Sequence, residues 1–140
     1  MTAATPEAPP PLRLPNLADL TILAVDDNED ARDILEAFLQ ACGATVVVVD
    51  SVDAALAVMR GNTFDLVISD LAMPGKDGID FIRTLRASRA PHARIPAIAL
   101  SGCADQYADV MAHGYDALLS KPADLDGLAR TIRRLVRRAT

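Results

Sequence analysis

From residue 21 onward, short unbroken apolar runs alternate with longer stretches whose apolar positions recur every three or four residues. The runs at 21–25, 44–49, 64–69, 97–100 and 117–120 read as strands: the first carries the mark of a strand buried on both faces, and the second is β-branched. The stretches at 29–42, 52–60, 78–88, 105–112 and 124–138 have helical spacing. In the first helix Ala31, Ile34, Leu35, Phe38 and Leu39 are expected to face inward. In the last, Leu125, Leu128, Ile132, Leu135 and Val136 are expected to do so. Gly43 is placed to close the first helix, Gly61-Asn62 the second and Gly114 the fourth, which is the shortest and most weakly patterned. Five repeats of strand then helix imply an α/β fold with a parallel sheet covered on both faces. With right-handed crossovers, five strands fit best in the flavodoxin-like order 2-1-3-4-5.

The polar residues that end these runs change the picture. The first run ends in Asp26-Asp27, the third in Asp70, the fourth in Ser101 and the fifth in Lys121-Pro122. Ligands of open α/β sheets bind outside the carboxyl ends of the strands, where the strand order reverses. In the expected order the first and third strands are neighbours, so Asp26, Asp27 and Asp70 share one crevice. Adjacent carboxylates repel unless a cation lies among them, and Mg²⁺ takes a few carboxylates plus waters and phosphate oxygens. Helix capping by Asp27 or Asn28 is the plainer explanation of that pair taken alone. A carboxylate is also a nucleophile toward phosphorus. An ammonium (Lys121) and a hydroxyl (Ser101) beside it would offset charge on phosphoryl oxygens. Pro122 fixes Lys121 in an extended backbone and is a candidate for a cis peptide bond.

Composition narrows the function. The chain has 140 residues, enough for one domain with one core, and is 51% hydrophobic. Its net charge of −5 speaks against general nucleic-acid binding. No apolar stretch is long enough for a membrane-spanning helix. Two cysteines, Cys42 and Cys103, make no disulfide framework and read as free thiols in a reducing, cytoplasmic setting. Residues 1–19 differ: five prolines sit among small residues, the pattern of a disordered tail or linker. Residues 20–140 form the expected folded domain.

Four segments together resemble the receiver domain of two-component response regulators. They are Val25-Asp26-Asp27-Asn28, the run from Asp70 through Ala72, Met73, Pro74 and Gly75 to Gly78, Leu100-Ser101-Gly102, and Leu119-Ser120-Lys121-Pro122. The resemblance implies that Asp70 is the phosphoacceptor and that Asp26, Asp27 and Asp70 bind Mg²⁺ with the Ala72 backbone carbonyl. It implies that Ser101 is the switch hydroxyl and that Lys121 pairs with a phosphoryl oxygen. The implied partner is a sensor histidine kinase or a histidine phosphotransfer protein. The implied readout is the fourth helix, fifth strand and fifth helix, which also form a possible homodimer surface. Such a domain catalyses only its own phosphorylation and dephosphorylation. Two positions depart from the family. Leu118 stands where an aromatic commonly sits three residues before the lysine, with Tyr115 three residues earlier still. Ala72 replaces a common polar residue, from which an altered phosphoryl lifetime is expected.

Other readings have specific expectations. A haloacid-dehalogenase-type phosphatase or phosphotransferase also uses a strand-end Asp and Mg²⁺. It usually places its nucleophile after the first strand with a second acid two residues on, whereas here the first acids are adjacent. A phosphorylation-independent scaffold has no need for Asp26, Asp27, Asp70, Ser101 and Lys121 together. With nothing after the last helix, a free single-domain regulator and the receiver of a hybrid kinase both fit. Arg130, Arg133, Arg134, Arg137 and Arg138 gather on the last helix, either as a partner surface or as cations at a helix C-terminus. His92 and His113 have no second ligand nearby in sequence and read as solvated.

Overall fold

The computed structural model describes residues 15–102, 110–121 and 124–139. The elements run β1 (Thr21–Val25), α1 (Glu29–Ala41), β2 (Thr45–Val49), α2 (Val52–Gly61), β3 (Leu66–Asp70), α3 (Gly78–Ala87), a 3-10 turn (Pro91–Arg94), β4 (Ala97–Ser101), α4 (Val110–His113), β5 (Ala117–Ser120) and α5 (Leu125–Ala139). All strand pairs are parallel, in the order β2-β1-β3-β4-β5. The flavodoxin-like α/β expectation is therefore met in both class and order.

Alternation along the central strands builds two cores. Ile22, Ala24, Leu66, Ile68, Ile98 and Leu100 face one side, where Leu35 and Leu39 of α1 and Leu128 and Ile132 of α5 cover them. Leu23, Val67, Ala97 and Ala99 face the other, under Ala55 and Met59 of α2 and Phe81, Ile82 and Leu85 of α3. β3 and β4 are buried at every position. Each fully buried Leu, Ile or Val side chain there contributes about 1.5–3 kcal/mol.

Four details differ from the pattern. Ile34 is exposed, not inward: the stripe of α1 that meets the sheet is centred on Leu35 and Leu39, and Ile34 lies about 100° around the helix from Leu35. The packing reaches back to Leu17, inside the span expected to be linker. Leu17 is fully buried, and its N–H donates to the Cys42 carbonyl. His92 sits in a 3-10 turn, in a stretch between the third helix and the fourth strand to which the pattern assigned no element. β3 extends to Asp70 and β4 to Ser101, so these two polar residues are the last members of their strands. The expected tail over residues 1–14, Cys103, the first part of the expected fourth helix (105–109) and Pro122 lie outside the described residues.

Candidate functional site

β1, β3, β4 and β5 end along one edge of the sheet, and their terminal residues make the site. Parallel register fixes who meets whom: Val25 pairs with Ser69, Asp70 with Leu100, and Ser101 with Ser120. Asp26, Asp27 and Asp70 come together there, each offering a carboxylate oxygen, with all three oxygens within 4.8 Å of one another. Asp26 is fully buried and Asp70 nearly so, at 0% and 5% exposure, while Asp27 is exposed at the mouth.

Asp26 is the most constrained of the three. Its N–H donates to the Val49 carbonyl, which continues the β1–β2 ladder. Its carbonyl accepts from Arg32 Nη1 at 2.8 Å. One carboxylate oxygen accepts the Asn28 N–H at 2.9 Å, and the other accepts from Lys121 Nζ at 2.8 Å. Asn28 in turn caps α1 by accepting the Ala31 N–H at 2.9 Å. Capping is thus done by Asn28, and Asp27 makes no hydrogen bond or ion pair among the described residues. The capping explanation does not account for Asp27.

Lys121 follows β5 directly. Its backbone N–H donates to the Ser101 carbonyl at 2.8 Å, which places its side chain over the crevice. The ammonium lies 2.8 Å from Asp26 and 3.4 Å from Asp70. Burial works against its charge. The hydrogen bond and charge of Asp26, followed by those of Asp70, outweigh this and hold Lys121 above the usual lysine range. The Asp70 carboxyl is pushed above the usual carboxylate range, first by burial and then by the charge of Asp26, with Lys121 opposing. This is the behaviour of acids that share a crevice and lack sufficient positive charge.

The turn after Asp70 depends on two glycines. Gly75 has φ +75°, a conformation L side chains rarely adopt. Gly78 is required by closeness: a Cβ there would lie 2.5 Å from the Asp70 carbonyl oxygen and 2.8 Å from Leu71 Cα. The Gly78 N–H closes the turn onto the Leu71 carbonyl at 3.0 Å. Asp77 then caps α3 in a reciprocal box with Asp80. Between these fixed ends Ala72 is exposed, with its N–H 3.4 Å from Asp70 Oδ1. Met73 is buried beneath it. Ser101 is buried at the end of β4, next to the Lys121 backbone. All five side chains singled out from the sequence thus occupy this edge.

Two features were not legible beforehand. Arg86 of α3 is half-buried and donates to the carbonyls of Gly114, Ala93 and Ile95 as well as to Asp116, tying the 3-10 turn to the lead into β5. Tyr115, noted only as a misplaced aromatic, is buried at 3% exposure, and its hydroxyl donates to the Gly78 carbonyl at 2.7 Å. A lone Arg on a helix and a Tyr after a Gly give no sequence signal for such bonds.

Fold and site together define a doubly wound α/β domain with an acid cluster and one ammonium at the topological switch point. The sequence model of the response regulator receiver domain matches residues 22–133. The virulence sensor protein BvgS of Bordetella pertussis is 35% identical over 144 residues, which is 99% of this chain but only 11% of that protein. The response regulator protein FleR of Pseudomonas aeruginosa is 36% identical over 113 residues, 81% of this chain and 24% of FleR. The chain therefore spans a small part of these relatives. Among solved structures, the receiver domain of sensor histidine kinase PA1611 from Pseudomonas aeruginosa PAO1 superposes with a TM-score of 0.77 at 29% identity, covering 84% of this chain and 98% of that one. That structure has a magnesium ion coordinated in its active-site cleft. The chain belongs to the response regulator receiver domain family of two-component signalling.

Proposed function

We propose that this receiver domain takes a phosphoryl group from a phosphohistidine onto Asp70, with Mg²⁺ held by Asp26, Asp27 and Asp70 together with the Ala72 backbone carbonyl. The observation that carries the reading is the approach of three carboxylate oxygens to within 4.8 Å of one another beside a single ammonium. An all-oxygen set with one exposed member fits a hard divalent cation that keeps waters. Bound there, the cation would supply charge neutralisation for phosphoryl oxygens. In the transfer an Asp70 carboxylate oxygen attacks phosphorus, the P–N bond to the imidazole breaks, and the imidazole leaves and takes up a proton. Lys121 has the charge and the position to pair with a phosphoryl oxygen. The Ser101 hydroxyl, at the end of the neighbouring strand, is the donor that turns toward the new oxygens and draws β4 with it. That contact exists only in the phosphorylated state, as a two-state switch requires.

The donor is a sensor histidine kinase or a histidine phosphotransfer protein in the cytoplasm, consistent with relatives that are sensor proteins and response regulators. The readout surface is α4, β5 and α5, which could pair two copies. Turnover is confined to the domain's own acyl phosphate. Incubation with acetyl phosphate and Mg²⁺, followed by intact mass, is expected to show one phosphoryl group per chain, and none on Asp70→Asn. Stoichiometric uptake by Asp70→Asn, or multiple-turnover hydrolysis of a small phosphoester, would overturn the reading.

A further inference from the structure

We propose that Tyr115 is a positioning residue. Its buried hydroxyl ties the first residue of α3, and with it the turn that carries Asp70 and the Ala72 carbonyl, to the lead into β5. The inference rests on the functional reading above and adds a residue to it.

The geometry runs through three steps. The Tyr115 hydroxyl donates to the Gly78 carbonyl at 2.7 Å across a sequence separation of 37 residues. Gly78 lies against the phosphoacceptor's own backbone, so close that a Cβ there would sit 2.5 Å from the Asp70 carbonyl oxygen, and its N–H closes the turn onto Leu71. Ser69 holds the same turn from the strand side. Its buried hydroxyl donates to the Asp70 carbonyl at 3.0 Å. The Asp70 turn is therefore gripped from beneath by a polar group that belongs to the β5 side of the molecule. Two residues after Tyr115, Ala117 begins β5, whose end delivers Lys121.

The phenol is suited to a fixed role. Burial, above all, raises its pKa, with Ser69 opposing, so it remains a donor at any ordinary pH. It is enclosed by the core under α3. At Leu118, partly buried against that same core, there is no hydroxyl. A movement of β5 relative to the Asp70 turn must then stretch the Tyr115–Gly78 bond or carry Gly78 along. Groups that orient the ligands of a metal are commonly worth about tenfold or more in its affinity.

The test is a titration of isotopically labelled full chain with Mg²⁺ and then beryllofluoride, followed by amide chemical shifts. Tyr115→Phe is expected to bind Mg²⁺ about tenfold more weakly than the parent, and to show smaller beryllofluoride shifts at Gly78, Leu118 and Leu119. Val110→Ala removes packing from the same core but leaves the hydroxyl link, and is expected to keep the parent affinity. If the Phe variant does not fold, the parent gives the readout: the Tyr115 ring signals and the Gly78 amide are expected to shift together on Mg²⁺ loading, because the hydroxyl donates to the Gly78 carbonyl. Parent-like affinity and shifts in Tyr115→Phe, or Tyr115 and Gly78 signals in the parent that ignore Mg²⁺ where that readout stands in, would overturn the proposal, as would an equal loss in Val110→Ala. A parent protein that binds neither Mg²⁺ nor beryllofluoride would instead overturn the functional reading on which the proposal rests.

Discussion

Asp70, the proposed phosphoacceptor, is also an acid that the fold disfavours in its charged form. Burial and the neighbouring charge of Asp26 raise its pKa in the folded state. A carboxyl whose folded pKa lies above its unfolded value of about 3.9 favours the fold most when protonated. That contribution is complete below the unfolded value and is lost as pH rises through the folded one. Without Mg²⁺, Asp70→Asn should therefore melt above the parent at neutral pH, and the gap should close toward acid. Thermal unfolding of both proteins from pH 4 to pH 8 checks this, and a gap that widens toward acid would contradict it. Lys121 moderates the cost: its ammonium sits 2.8 Å from Asp26 and 3.4 Å from Asp70, so one cation serves two acids.

The start of α1 separates two roles that the sequence left merged. Asn28 accepts the Ala31 N–H and caps the helix, while Asp27 points into the mouth of the crevice without a partner among the described residues. Asn28→Ala should cost about 1 kcal/mol of stability. Asp27→Ala should change metal-free stability by no more than about 0.5 kcal/mol yet weaken Mg²⁺ binding. Chemical denaturation alongside a Mg²⁺ titration measures both, and a stability loss at Asp27 equal to that at Asn28 would restore the capping explanation. The strands and their order were legible because buried parallel strands read as unbroken apolar runs, and Asp26, Asp27, Asp70, Ser101 and Lys121 because each ends such a run. Ile34 was misplaced because spacing alone does not say where an apolar stripe is centred. Leu17 was hidden by the prolines around it. The Tyr115–Gly78 bond had no local signal, since it joins residues that only the folded sheet makes neighbours.

Across the described residues, two apolar cores flank the sheet, and the crevice at its edge holds unbalanced charge. Three carboxylates face one ammonium there. A divalent cation that binds the folded state alone should stabilise the whole domain by mass action, by about 2.7 kcal/mol at a concentration 100 times its dissociation constant. Melting with and without Mg²⁺ reads this directly, and Asp27→Ala should shrink the shift. A melting temperature indifferent to Mg²⁺ would mean the acid cluster binds no such ion.

Under the proposed function, that imbalance would set an order of events. A phosphodonor carrying negative charge would meet the exposed Asp27 carboxylate, of the same sign, at the mouth. Lys121 is already engaged with Asp26 and Asp70, so it offers little net attraction to a newcomer. On that reading, admission of the donor would then follow loading with a cation, and the acid cluster would work as an electrostatic turnstile.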